Sequence, residues 1–138
     1  YITTSKDPFL YDLKYRIFFY PDIEKMNYMC DIFKLQEDFT SFSKLHTDVK
    51  TNICQVYEAY WEQVGEDFVF TIKANRFLRN MVRSIVGTML EIGRGRLDED
   101  GLLTIFESKN RQVAGDSAPG HALFLCEVEY PDEIWEEV

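Results

Sequence analysis

The stretch RFLRNMVRSIVGTMLEIGRG, Arg76 to Gly95, carries Arg76, Arg79, Arg83 and Arg94 against one acid, Glu91. The chain as a whole leans the other way, with 15 Lys and Arg against 24 Asp and Glu and a formal charge of -9. Widening the window to Phe68–Arg96 brings in Lys73 and Arg96, so six cations face one acid inside an acidic chain. A basic element on an acidic body draws a polyanion to one face and repels it elsewhere. The solvated side of an amphipathic helix would carry the same charges, and both readings stand at this point. Arg83 differs from its neighbours because Met81, Val82, Ile85 and Val86 flank it. A guanidinium keeps its proton in a protein, so a partly buried one needs a carboxylate or phosphate to offset its desolvation. That partner can be an acid of the same domain or a group from elsewhere.

Other chemistries find little support. Ser, Cys and His occur without a GxSxG elbow or a Cys/His nucleophile context, and GRG at positions 93–95 lacks the frame of a phosphate loop. Glu127 and Glu129 alternate as the wet face of a strand. Cys30, Cys54 and Cys126 form no CxxC pair and have no ligand spacing with His46 or His121, which leaves no zinc site and predicts buried free thiols of a cytosolic protein. No metal and no cofactor is implied. The loop AGDSAP, 114–119, has side chains small enough for backbone to approach a ligand closely, or is an ordinary surface turn. The acidic balance excludes a generic nucleic-acid binder, because affinity for phosphate is mainly electrostatic.

These residues need elements to hold them. At 138 residues, 46% hydrophobic and 15% aromatic, the chain reads as a single domain, 1–138, with a sizeable core. No apolar run approaches the roughly 20 residues that cross a bilayer. The opening YITTSKDPFL has neither Met nor a leader pattern, so the expectation is that a segment upstream of a cytoplasmic protein has been removed. Tyr1–Thr4 reads as the tail of a strand, and YRIFFY, Tyr15–Tyr20, as a strand stopped by Pro21. Asp22 fits the N-cap of a helix to about Lys34 that buries Ile23, Met26, Met29, Cys30 and Phe33. Ile53–Trp61 and Asp67–Ala74 form a hairpin through EQVGE, with Phe68, Phe70, Ile72 and Ala74 on its core face. Asn75 then caps a helix whose apolar ridge is Leu78, Val82, Ile85, Met89 and Ile92, with Arg76, Arg79 and Arg83 on a second face and Gly93 as the stop. A helix from Asp98 to about Lys109 turns Leu102, Leu103 and Phe106 inward, and LFLCEVEY, 123–130, closes the domain as a strand. The order predicts an α+β fold, a largely antiparallel sheet with helices packed on one face.

Three blocks, EDFTSF, FTIKANRFLRNMVRSIVGTMLEIGRG and KNRQVAGDSAPGHALFLCEVEYP, occur in that order between Glu37 and Pro131. Together they resemble the second half of the tRNA pseudouridine synthase A (TruA) family, and the combination is far more specific than any one block. The resemblance implies half of a pseudouridine synthase fold. It also implies isomerisation of uridine to pseudouridine in the anticodon arm of tRNA, without cofactor or metal, in a full-length homodimer. The family's catalytic Asp lies in an RTDAGVH-like motif that this sequence lacks. The expectation is therefore a C-terminal half whose N-terminal catalytic domain is absent and which is inactive alone. Carried over position by position, Arg83 of MVRSIVG pairs with that Asp, and Leu123 lines the uracil pocket. Lys73, Arg76, Arg79 and Arg94 would touch phosphates, an assignment that rests on charge. Gly120 and Ala122 stand where the family more often has Ala and Gly, and Cys54 where an arginine is common. A non-catalytic RNA-binding or dimerisation module is the competing reading.

Overall fold

A long hairpin and two short strands build the sheet on which the rest of the domain is arranged. The computed structural model describes residues 1–5, 13–43, 51–111 and 114–126. Strand β1 (Ile2–Thr3) pairs in parallel with β2 (Tyr15–Arg16) and antiparallel with β4 (Asp67–Ala74), and β4 pairs antiparallel with β3 (Val56–Val64). The order β2-β1-β4-β3 makes the sheet largely antiparallel, and with three α-helices among the described residues the fold is α+β as expected. Trp61 stands opposite Phe70 and Ala59 opposite Ile72, so the aromatic pair and its neighbours share one face. β3 runs on to Val64, because Gly65 at φ +62° lets the chain reverse in two residues where a five-residue connection was expected. Of YRIFFY only Tyr15–Arg16 is strand, and Phe18 lies exposed beyond it, its ring under the Arg16 guanidinium.

Helix α1 (Ile23–Leu35) begins where Asp22 accepts the Lys25 N–H at 3.1 Å. Its stripe Met26, Met29, Cys30 and Phe33 is buried, as the spacing predicts. On its β3 side, Asn27 Oδ1 accepts the Trp61 N–H at 2.7 Å and Asn27 Nδ2 donates to the Trp61 carbonyl at 3.0 Å. Among the described residues β3 is the last strand of the sheet, so this side-chain amide supplies what a further strand would otherwise supply. Helix α3 (Glu99–Ser108) starts with Asp98 accepting from Gly101 N–H at 2.8 Å and buries Leu102, Ile105 and Phe106. EDFTSF serves the core: Asp38 holds a 3₁₀ turn at Thr40–Phe42 through the Thr40 N–H, and Phe39 and Phe42 meet Phe106 with centroids 5.5 and 4.9 Å apart. Phe33 closes the cluster at 5.2 Å from Phe106. Burial contributes about 1.5–3 kcal/mol for each such ring, and each edge-on contact about 0.5–1.5 kcal/mol more.

Helix α2 spans Met81–Gly93, five residues shorter at its start than the sequence pattern suggests. Asn75 does not cap it. Its N–H and its Oδ1 pair with Gln55 at 3.0 and 2.8 Å, which closes the open end of the hairpin. Asn80 then takes a left-handed conformation, φ 66°, before the helix can begin. Arg76 and Arg79 therefore lie on an irregular segment and share no helical face with Arg83. Leu78 is buried ahead of the helix; Ile85, Met89 and Ile92 form the buried ridge, and Val82, at the start of the helix, is only partly buried. Gly93 is the last helical residue, and the left-handed glycine that ends the run is Gly95, φ +81°.

The loop 114–118 lies directly on α2. A Cβ on Gly87 would overlap the Asp116 carbonyl oxygen and stand 2.8 Å from its carbon. Gly115 N–H donates to Thr88 Oγ1 at 3.1 Å, and Ala118 N–H to the Arg83 carbonyl at 2.9 Å. The small residues of AGDSAP thus let loop and helix backbones meet. Leu123–Cys126 form no strand, although Tyr1 N–H donates to the Ala122 carbonyl at 3.0 Å; 127–130, the rest of the expected strand, lie outside the described residues, as does His46. Cys30 and Cys54 are buried but Cys126 is exposed, against the expectation of three buried thiols.

Gly87→Ala is expected to destabilise the domain by about 1–3 kcal/mol, read from denaturant unfolding; an unchanged midpoint would mean the loop does not rest on α2. Burial pushes the Cys30 thiol up from 9.0 to about 12, so at pH 8 it stays protonated and resists alkylation. Cys126 is expected to react first in a mass-spectrometric time course, and equal rates for the two would contradict the packing of Cys30.

Candidate active-site cleft

β4 from Val69 onward, the segment 75–83 and the loop 117–126 enclose an open cleft of about 1690 Å³. Lys73, Arg76, Arg79, Arg83 and Arg111 line it, and among the described lining residues Glu58 is the single acid. A concave surface with this balance, on a chain of charge -9, focuses positive potential where the rest of the protein is negative. Tyr57 and Phe77 add half-exposed rings to the same walls.

Arg83 enters the cleft from the first turn of α2, half-buried. Its Nε donates to the Ala118 carbonyl at 2.7 Å, while its own carbonyl receives the Ala118 N–H at 2.9 Å. The two residues are locked to one another through backbone and side chain at once. Gly120 lies against the same guanidinium: a Cβ there would stand 3.6 Å from Nε and 3.8 Å from Cζ. That is ordinary contact, so the alanine common at this position would fit. Among the described residues no carboxylate forms an ion pair with Arg83. A neutral carbonyl orients the charge without cancelling it, and among the described residues the remaining N–H groups meet no further acceptor.

Leu123 lines the cleft beyond the short 3₁₀ turn Gly120–Ala122, about half exposed, with Phe124 and Leu125 beside it. The Phe124 ring stands edge-on to Tyr1, with centroids 5.6 Å apart. Arg76 reaches the Thr51 carbonyl at 3.2 Å and stands near Cys54, whose thiol burial pushes upward while the arginine opposes the shift. Cys54 is fully buried, so the position has no outward-facing side chain. Arg79 is exposed and Lys73 half-buried. Arg94 is elsewhere: it caps the far end of α2, its guanidinium 4.6 Å above the Phe19 ring, and it does not line the cleft. The structure thus gathers Arg83, Leu123, Lys73, Arg76 and Arg79 into one cavity and separates Arg94 from them.

Sequence reasoning overlooked three residues. Arg111 NH2 donates to Ser117 Oγ at 2.6 Å, and Asn80 Nδ2 to the same oxygen at 2.7 Å. Arg111 stands in KNRQVAGDSAP, a second arginine next to the small-residue loop, and that adjacency was the available signal.

The profile of a family described as tRNA pseudouridine synthase matches residues 36–131. A protein of Parabacteroides distasonis called tRNA pseudouridine synthase A is 57% identical over 135 residues, 98% of this chain and 54% of its own length. One of the same name from Bacteroides fragilis is 58% identical over 137 residues, 99% of this chain and 54% of its own. A more distant one, from Anoxybacillus flavithermus, is 50% identical over 93 residues, 67% of this chain and 38% of its own. The chain spans about half the length of the first two relatives. With a profile match over most of its residues and the cleft built from the segments that carry the match, this chain belongs to the tRNA pseudouridine synthase family.

Proposed function

We propose that this chain supplies one wall of the active site of a tRNA pseudouridine synthase that isomerises uridine in the anticodon arm. The reaction frees uracil N1 from ribose C1′ and rejoins the base through C5, so no atom is gained or lost. The observation that carries the reading is Arg83, a half-buried guanidinium fixed by Ala118 and without a carboxylate among the described residues. Its partner is an Asp contributed by a segment outside this chain. An arginine at ion-pair distance lowers a carboxylate's pKa and keeps it ionised, the state a nucleophile or base requires.

The other roles follow from position. Leu123, with Phe124 and Leu125, packs against the uracil ring. Lys73, Arg76 and Arg79 face the phosphates of the RNA bent over the cleft. Arg94 reaches RNA only outside the cleft. The full-length protein acts as a cytoplasmic homodimer on tRNA, and no cofactor enters the scheme. A non-catalytic RNA-binding module would need the basic wall but has no use for an arginine oriented this closely.

Release of tritium from C5 of labelled uridine in tRNA tests the reading. In the full-length protein Arg83→Ala is expected to lower turnover about 100- to 5000-fold, as loss of an ion-pair partner in a closed site costs about 3–5 kcal/mol, with thermal unfolding little changed. Wild-type turnover in that variant would make Arg83 structural. The chain by itself is expected to release no tritium, and measurable release would refute the need for an external Asp. If three phosphates are held, the affinity for tRNA falls with salt at a log–log slope of about −2, and a flat profile would remove the basic wall from RNA binding.

A further inference from the structure

We propose that Asn80, Ser117 and Arg111 are positioning residues for Arg83, joined through the single hydroxyl of Ser117. This inference rests on the reading of Arg83 given above and adds to it. Ser117 Oγ receives Asn80 Nδ2 at 2.7 Å and Arg111 NH2 at 2.6 Å, so both of its lone pairs are engaged. Each donor controls a different part of the geometry of Arg83. Asn80, held at φ 66°, is the last residue before α2 and lies three residues before Arg83, so it sets where the helix starts and how it is turned. Asparagine is among the few residues that adopt this conformation readily. Arg111 holds the loop: besides Ser117 it reaches the Gly115 carbonyl at 3.5 Å, and Gly115 N–H rests on Thr88 Oγ1 of α2.

Ser117 is adjacent to Ala118, whose carbonyl is the acceptor for Arg83 Nε. The root of Arg83 on the helix and the acceptor for its guanidinium are therefore fixed through one oxygen atom. Loss of that oxygen frees helix start and loop to shift relative to one another. A displacement on the order of 1 Å at a catalytic group lowers turnover about 100-fold. Arg111 touches the loop and not the reacting atoms, so its effect falls on turnover and not on tRNA binding.

Steady-state tritium release with the full-length protein decides the matter. Ser117→Ala is expected to lower kcat about 10- to 100-fold with KM for tRNA within about twofold, and Ser117→Thr, which keeps the hydroxyl, to recover most of the loss. Arg111→Lys keeps the charge but not the planar fork, and is expected to follow Ser117→Ala, serving as the test if the alanine variant fails to fold. The double variant is expected to lose far less than the product of the two single losses. Unchanged kcat in Ser117→Ala or Arg111→Lys, or a rise confined to KM, would overturn the proposal; the latter would make Arg111 a phosphate ligand. Arg83→Ala in the same assay separates the two levels. An inactive Arg83→Ala beside a wild-type Ser117→Ala refutes the positioning role alone, and an active Arg83→Ala refutes the reading beneath it.

Discussion

The reciprocal bond between Arg83 and Ala118 is the constraint around which the cleft is organised. The helix gives its carbonyl to the loop and the loop gives its carbonyl to the side chain, at 2.9 and 2.7 Å. A hydrogen bond to a charged group contributes about 1.5–3 kcal/mol, enough to hold a direction. Leaving a guanidinium without a counter-ion in a closed site costs several kcal/mol. Because Arg83 is only half-buried, water covers that deficit while the cleft is open. The arrangement fixes the direction of the charge, which is what the role proposed for Arg83 requires.

Much of the rest can be read as what this bond requires. Gly87 and Gly115 remove the side chains that would keep loop and helix apart. Thr88, fully buried in α2, spends its hydroxyl on the loop. The ridge Ile85, Met89 and Ile92 fixes the other side of α2 in the core, so the helix cannot follow the loop if the loop moves. The aromatic cluster around Phe106 lies farther back and gives α1, α3 and the 3₁₀ turn a common centre.

The sequence made some of this legible and hid the rest for physical reasons. Asp22 was visible as a cap because a carboxylate one turn before exposed N–H groups is a local signal, and the stripe of α1 showed through its period. The α+β class and the hairpin followed from the same kind of pattern. The start of α2 was misread because Arg76, Leu78, Arg79 and Val82 keep helical spacing although the chain there is irregular; what breaks the helix is the pairing of Asn75 with Gln55, a contact across twenty residues. Leu123–Cys126 have strand composition but form no strand, and the rest of the expected closing strand lies outside the described residues. Arg83 stood out as a charge among apolar residues. Ser117, Asn80 and Arg111 did not, since polar residues in a loop carry no sign of converging on one oxygen.

The clasp of Asn27 on Trp61 gives the sheet a direction of growth. At that residue the outermost strand has already given its N–H and its carbonyl to a helix, so a strand arriving there would leave two polar groups unmatched or displace an amide that costs nothing to keep. A newcomer pairing with this sheet is turned away from the β3 border. Among the described residues the four strands thus have one margin that is already closed at Trp61, and the opposite margin is β2.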